Sequence, residues 1–341
     1  MPDLPAYPWR RKSYRLAETS ESTGLLRVRP SHPLIGARLS SDSLEWRAQL
    51  DPLLVPGLAD HRVDGQVLLP GAAFAEMALA VARDWTGAET ATIDGLEIAQ
   101  PMVFSPNVSR EILCRAASAT GTIEIMSRAR LSDAPFVGHA KAKVIFRPAP
   151  CAAISAIPRP RAKRVLAADL YAAARRFGLE FGPAYQQVLT ASRIGKDVIL
   201  VDLVAAAALP EYGIDPARLD ACFHGLILLF ADSAANPRPA AYLPVRFGEI
   251  RLEKPGAAIA RSRIDVRSHD SRAIVADFAL IDADGALIAR LQDVRYQAVR
   301  PRGAGDLASH SLVPALILAD EPTAQPRDPP LSLDLLVKAA T

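Results

Sequence analysis

Three side chains carry the chemistry most readily argued from this sequence: His61, Asp220 and His224. His61 lies in the run Asp60-His61-Arg62-Val63-Asp64-Gly65-Gln66-Val67-Leu68-Leu69-Pro70-Gly71, just ahead of a long apolar segment. Pro70 and Gly71 read as the opening of a helix, where the missing proline N–H costs nothing. Unpaired backbone N–H groups at such an end, with the helix dipole behind them, can receive a developing negative charge. A base beside an oxyanion-binding helix end is what proton abstraction next to a thioester carbonyl requires. Gly65 permits the turn on which His61 would sit. A loop histidine with a satisfied hydrogen bond fits the same spacing.

Asp220 and His224 are four residues apart, which on a helix puts both side chains on one face. Around them run Leu219, Ala221, Phe223, Leu226 and Ile227. A carboxylic acid in an apolar helix is costly to ionise unless paired. One that stays protonated near neutrality can act as a general acid. An Asp–His pair tying two parts of a core together also fits. Cys222, two residues from Asp220, does not share its face and is not expected to be a nucleophile.

The elements that position these residues fall into two similar series. In the first, a strand at Leu44–Leu50 leads through a loop to a helix from Gly71 to about Trp85. Strands follow at Thr90–Ile98, Glu111–Ala117, Thr122–Ala129 and Gly138–Phe146. In the second, a strand at Asp197–Val204 precedes a helix from Pro216 to about Ser233. Strands follow at Val245–Leu252, Arg261–Arg267, Ala273–Ile281 and Ala286–Val299, the last two joined by an Asp282-Ala283-Asp284-Gly285 turn. Both helices are apolar nearly all round, so both are expected to be buried. Glu76 and Asp84 would mark the exposed end of the first. A buried helix followed by antiparallel strands, occurring twice, points to internal duplication.

Irregular, proline-rich stretches bound these series. The expected organisation is an N-terminal linker at 1–30, a first subdomain at 31–148, a linker at 149–164, a second subdomain at 165–300 and a C-terminal linker at 301–341. Half of the 341 residues are apolar, enough for a substantial core, and the net charge is only +3. That balance argues against nucleic-acid binding. Three cysteines without CxxC spacing argue for reduced thiols rather than a zinc site or disulfide framework. No apolar run is long enough to span a bilayer, and a cytoplasmic location is expected. His32, His139, His269 and His310 are scattered and read as structural or surface residues. Arg175 and Arg176 read as a solvated face.

The motifs resemble those of the dehydratase domains in polyketide synthases and animal-type fatty-acid synthases. His61, Gly65 and Pro70 match the family pattern HxxxGxxxxP. Gly178-Leu179-Glu180-Phe181-Gly182-Pro183-Ala184-Tyr185-Gln186 resembles GxxYGPxF. Asp220 with His224 resembles DxxxQ/H, and Tyr242-Leu243-Pro244-Val245-Arg246-Phe247 resembles an LPxxW-type segment. His32-Pro33-Leu34-Ile35-Gly36 is similar to the segment where such domains begin. The four motifs come in family order over about residues 30–300.

This resemblance implies an α+β double hotdog, with each antiparallel sheet wrapped around a buried helix. It implies that His61 takes the α-proton of a 3-hydroxyacyl thioester and that Asp220 protonates the departing hydroxyl. His224 would orient Asp220 or bind that hydroxyl. Backbone N–H at Gly71, with Gly65, would polarise the carbonyl. Pro70, Phe181, Gly182, Pro183, Tyr185, Leu243 and Pro244 would line the substrate site. No metal or intrinsic cofactor is implied; the substrate arrives on the phosphopantetheine arm of an acyl carrier protein. Neighbouring acyltransferase and ketoreductase domains and a homodimer are implied partners, with no nucleic acid or membrane. Related domains with the same pair cyclise polyketides or isomerise double bonds, and a silent dimerising scaffold is a further alternative. Three departures stand out. Phe181 and Tyr185 occupy positions where the family has Tyr and Phe, His224 takes the fatty-acid-synthase form of its motif, and Phe247 stands where tryptophan is frequent.

Overall fold

The computed structural model describes residues 30–148, 164–230 and 241–299, apart from residues 39, 56, 106 and 107. The expected terminal linkers and the 149–164 linker fall almost entirely outside these residues. The strands of the first half are β1 (Ala37–Arg38), β2 (Glu45–Leu50), β3 (His61–Val63), β4 (Gln66–Leu68), β5 (Ala91–Ile98), β6 (Val103–Phe104), β7 (Arg110–Ala117), β8 (Thr122–Ala129) and β9 (Val137–Val144). Its helix, α1 (Gly71–Thr86), is rich in alanine and straight-chain residues that lose little freedom in a helix. It stops at Gly87, whose left-handed backbone lets its N–H close on the Arg83 carbonyl. Every residue from Ala72 to Ala82 is buried. The strands around it alternate: Trp46, Ala48 and Leu50 point inward from β2, and Ile123, Ile125 and Ser127 from β8.

The second half contains β10 (Arg164–Leu166), α2 (Ala167–Arg176), β11 (Leu179–Phe181), β12 (Val188–Ile194), β13 (Val198–Leu203), α3 (Pro216–Phe223), α4 (Ile227–Phe230), β14 (Ala241–Leu252), β15 (Arg261–His269), β16 (Ala273–Ile281) and β17 (Leu287–Val299). The expected continuous helix from Pro216 is broken. It tightens to a 3-10 turn at His224–Leu226 before resuming as α4. At Gly225 a Cβ would lie 2.5 Å from Val201 Cγ2 and 2.9 Å from Ile199 Cγ2, so β13 packs directly on the backbone there. Glycine permits that approach and also weakens the helix at the same point.

Among the described residues, thirteen strands form one sheet in the order β1-β2-β7-β8-β9-β5-β14-β17-β16-β15-β13-β12-β10. The halves join where β14 pairs antiparallel with β5, from Arg246 opposite Glu97 to Leu252 opposite Ala91. Each half wraps its own helix, and α1 packs against α3 across the junction. This is a double hotdog. A smaller sheet, β11-β3-β4-β6, borrows β11 from the second half.

Glu76 departs from its expected place at an exposed helix end: it is fully buried. Its carboxylate accepts the N–H groups of Gly213 at 2.6 Å and Ile214 at 2.7 Å, and meets His32 Nε2 at 2.9 Å. His32 Nδ1 accepts the Leu34 N–H, so Nε2 carries the proton toward Glu76. The central helix is thereby tied both to the start of the domain and to the segment entering α3. Asp84 is exposed, as expected, and accepts the Trp46 indole N–H.

Candidate active site

His61 begins β3, the first arm of a tight hairpin where the sequence pattern suggests only a loop. Asp64 and Gly65 form its tip, with φ of 47° and 75°, the left-handed pair of a two-residue turn that suits strand twist. His61 Nδ1 lies 3.0 Å from the Leu68 carbonyl across this hairpin. A carbonyl can only accept, so Nδ1 bears the proton and Nε2 presents a free lone pair. Nε2 lies 3.9 Å from Asp220 Oδ2. The two side chains come from different halves, and both are buried.

The other flank of His61 is β11. Phe181, Glu180 and Leu179 lie opposite His61, Arg62 and Val63. The Gly182-Pro183 turn is then fixed by Asp60, whose carbonyl accepts the Gly182 N–H at 2.7 Å and whose carboxylate accepts the Ala184 N–H at 2.9 Å. A Cβ at Gly182 would overlap the Asp60 carboxyl. Tyr185, next along, places its ring 5.3 Å from the His61 ring.

Asp220 is held from the 3-10 turn that follows its helix. Its Oδ2 is 3.0 Å from His224 Nε2. Phe181 covers His224 with ring centroids 4.0 Å apart. Behind His224 stands Tyr171 of α2, a residue that sequence reasoning misses. Its hydroxyl is 3.4 Å from His224 Nδ1 and 3.1 Å from the Tyr185 carbonyl, and it accepts the Val188 N–H at 3.1 Å. The part played by Asp60 is missed in the same way. The signals present in the sequence are a carboxylate directly before His61 and a polar hydroxyl on the buried face of α2, Leu170-Tyr171-Ala174.

Gly71 opens α1 three residues beyond Leu68, whose carbonyl holds His61. A Cβ at Gly71 would lie 2.5 Å from Pro244 Cγ. Pro70 is the N-cap, and its carbonyl accepts the Ala73 N–H at 3.0 Å, so the N–H groups of Gly71 and Ala72 are the ones at the open end of the helix. The structure thus gathers His61, Asp220, His224, Phe181 and Tyr185 around one point, and packs Pro244 on Gly71. It leaves Gly65 exposed at the hairpin tip and Pro183 exposed on its turn, while Leu243 is half-buried on β14.

Burial pushes the His61 imidazole below its ordinary range, with Asp220 and the Leu68 hydrogen bond pulling the other way. Tyr171 and Tyr185 are both pushed up, first by burial and further by the Asp220 charge in both cases. Burial also pushes up the Cys222 thiol, leaving it protonated and inert. A neutral histidine lone pair and a carboxyl group therefore face one point, suited to removing a proton from one atom while delivering one to its neighbour. Among the described residues, no group of three or more His, Cys, Asp or Glu could hold a metal ion, and no helix is long and apolar enough to cross a membrane.

Residues 32–128, which contain His61, match the family described as polyketide synthase dehydratase domain. Residues 149–306, which contain Asp220, match the one described as polyketide synthase dehydratase N-terminal domain. The chain belongs to the polyketide synthase dehydratase domains. The domain is 28% identical over 319 residues to a phenolphthiocerol/phthiocerol polyketide synthase protein of Mycobacterium tuberculosis, covering 88% of this chain and 17% of that protein. It is 30% identical over 321 residues to the spectinabilin polyketide synthase system protein NorB of Streptomyces orinoci, covering 89% of this chain and 14% of that protein. This dehydratase domain therefore spans a small fraction of the curated relatives it matches. The dehydratase domain of PpsC from Mycobacterium tuberculosis, solved in complex with C12:1-CoA, shares 25% identity and a TM-score of 0.65 over 79% of this chain and 99% of that one. The dehydratase domain from the CurJ module of curacin polyketide synthase shares the fold, with 19% identity and a TM-score of 0.66 over 80% of this chain and 99% of that one.

Proposed function

We propose that the domain removes water from a 3-hydroxyacyl thioester to give the 2-enoyl thioester, with His61 as base and Asp220 as acid. The observation that carries this reading is the free Nε2 of His61, 3.9 Å from the Asp220 carboxyl. His61 Nε2 takes the proton from C2. The electron pair it releases forms the C2–C3 double bond as the C3–O bond breaks, and Asp220 gives its proton to the departing hydroxyl, which leaves as water. An imidazolium and a carboxylate then remain side by side, and a proton passes from one to the other before the next turnover. The N–H at Gly71, at the open end of the helix, receives the thioester oxygen, where charge accumulates as the C2 proton leaves. His224 holds the Asp220 proton or the substrate hydroxyl.

The substrate is carried on the phosphopantetheine arm of an acyl carrier protein. Support comes from the PpsC relative, solved with an acyl coenzyme A, which bears the same pantetheine thioester. The domain works inside a larger synthase, beside acyltransferase and ketoreductase domains and as a homodimer. Incubation with 3-hydroxyacyl pantetheine thioesters of several lengths and both hydroxyl configurations tests the reaction. A conjugated 2-enoyl thioester, followed by its absorbance and mass, is the expected product. Carrier-protein binding without turnover of any of them would overturn the reading in favour of a silent scaffold.

A further inference from the structure

The Tyr171 hydroxyl has one proton to give and two lone pairs to receive; the Gln187 N–H also lies against it but is spent on the Tyr185 carbonyl at 2.9 Å, and three other groups remain as its partners. The Val188 N–H takes one lone pair, at 3.1 Å. The Tyr185 carbonyl lies at 3.1 Å and can only accept, whereas His224 Nδ1 lies at 3.4 Å and can either accept or donate. The phenolic proton belongs to the shorter contact, the Tyr185 carbonyl. His224 Nδ1 then donates its own proton to the remaining lone pair of Tyr171, and every valence of that hydroxyl is filled. A neutral imidazole has one N–H, so Nε2, 3.0 Å from Asp220 Oδ2, is left as an acceptor.

We propose that Tyr171 is a positioning residue for the general acid: it holds His224 in the Nδ1–H tautomer, so that Nε2 can accept a hydrogen bond only from a protonated Asp220 or from the substrate hydroxyl. The opposite tautomer would donate from Nε2 and favour the Asp220 carboxylate, which has no proton to deliver. Tyr171 therefore sets which form of the Asp220–His224 pair enters the reaction. Its own proton stays in place, because burial disfavours the phenolate. The groups facing His224 from the packed elements are Asp220 on α3, Tyr171 on α2, Phe181 on β11 and His61 on β3. Phe181 covers the ring with carbon alone, so Tyr171 is the partner at the far nitrogen. This inference deepens the dehydratase reading and rests on it for its consequence, but not for its geometry.

The tautomer is read without turnover, from the two ring 15N shifts of His224 in the intact domain, assigned by comparison with His224→Gln. The wild type is expected to show Nδ1 protonated and Nε2 bare, and Tyr171→Phe to shift the population toward Nε2–H. In kinetics, Tyr171→Phe is expected to lower kcat about tenfold with little change in KM. Glutamine presents a donor and an acceptor whichever way it is turned. Adding Tyr171→Phe to a His224→Gln background is therefore expected to cost no further activity. An Nε2–H wild type, or an equal Tyr171→Phe loss in both backgrounds, would overturn the proposal and leave Tyr171 a packing residue. Should the dehydratase reading itself fail, the wild type makes no enoyl product, while the 15N result stands separately.

Discussion

Phe181 lies directly opposite His61 in an antiparallel strand pair, although the two residues come from different halves of the chain. The pairing is short, three residues on each side, and a slip of one residue would turn His61 to the opposite face of its strand. The two hydrogen bonds that Asp60 makes to the Gly182–Ala184 turn pin this register. The site is therefore held by a seam between the hotdogs as well as by the helices inside them.

Removing the Asp60 carboxylate should loosen that seam. Asp60→Ala keeps the backbone bond to Gly182 but leaves the Ala184 N–H without its partner, at a cost of about 1–2 kcal/mol. Activity should fall further than stability explains, by roughly tenfold in kcat/KM, because His61 shifts against Asp220. Paired thermal unfolding and kinetics would show this. Unchanged kcat/KM would mean that the register is fixed elsewhere.

The acid limb of the pH–rate profile should lie below the ordinary histidine range near 6.5. His61 must be neutral to act as base, and its burial disfavours the imidazolium. Activity should therefore persist at mildly acidic pH and fall only below that value. A limb at or above 6.5 in kcat/KM would place the base in a wetter setting than the structure does.

Gly71→Ala should be damaging for a reason that can be reversed. The new Cβ would lie 2.5 Å from Pro244 Cγ, and a proline ring yields little. Destabilisation of about 1–3 kcal/mol is expected, with a fall in kcat/KM as the helix end is pushed from the carbonyl. Pro244→Ala in the same chain should recover most of the stability. Equal stability of Gly71→Ala and the wild type in denaturant titrations would show that the close approach is absent.

His139 gives a pH signature of stability unconnected to the reaction. It is buried between the Ser127 hydroxyl at 2.7 Å and the Gln100 carbonyl at 3.3 Å. Burial foremost, and then Arg110, lowers it to about 4. From about pH 6.5 down to 4 the unfolded chain binds a proton that the folded chain refuses, so stability falls as pH falls through that window. The full effect is of order 3 kcal/mol. His139→Gln should flatten the slope of unfolding free energy against pH there, and an unchanged slope would refute the assignment.

Much of this is legible from residue patterns, and the exceptions have definite causes. Long apolar runs mark α1 and α3, and alternation marks β2 and β8, because a hotdog sheet is wet on one face and packed on a helix by the other. The β3–β4 hairpin escapes notice because its arms have three residues each, although Asp64-Gly65 is a strong turn signal. Its pairing with β11 cannot be read, since nothing local ties Gly178–Phe181 to His61–Val63. Glu76 is misplaced for a similar reason: its partners, the Gly213 and Ile214 N–H groups, lie far along the chain. Tyr171 is hidden because a tyrosine on an amphipathic helix reads as core until its hydroxyl is seen against His224.

The proposed dehydration requires His61 and Asp220 to act as one base–acid pair. The most direct test follows the conversion of a 3-hydroxyacyl pantetheine thioester to the 2-enoyl product by His61→Ala, Asp220→Asn and the double variant, each checked by thermal unfolding. Each single change should slow product formation by about 10²–10⁴-fold with the fold intact, and the double should be scarcely worse than the poorer single. Near wild-type turnover by either folded single variant would contradict the pairing.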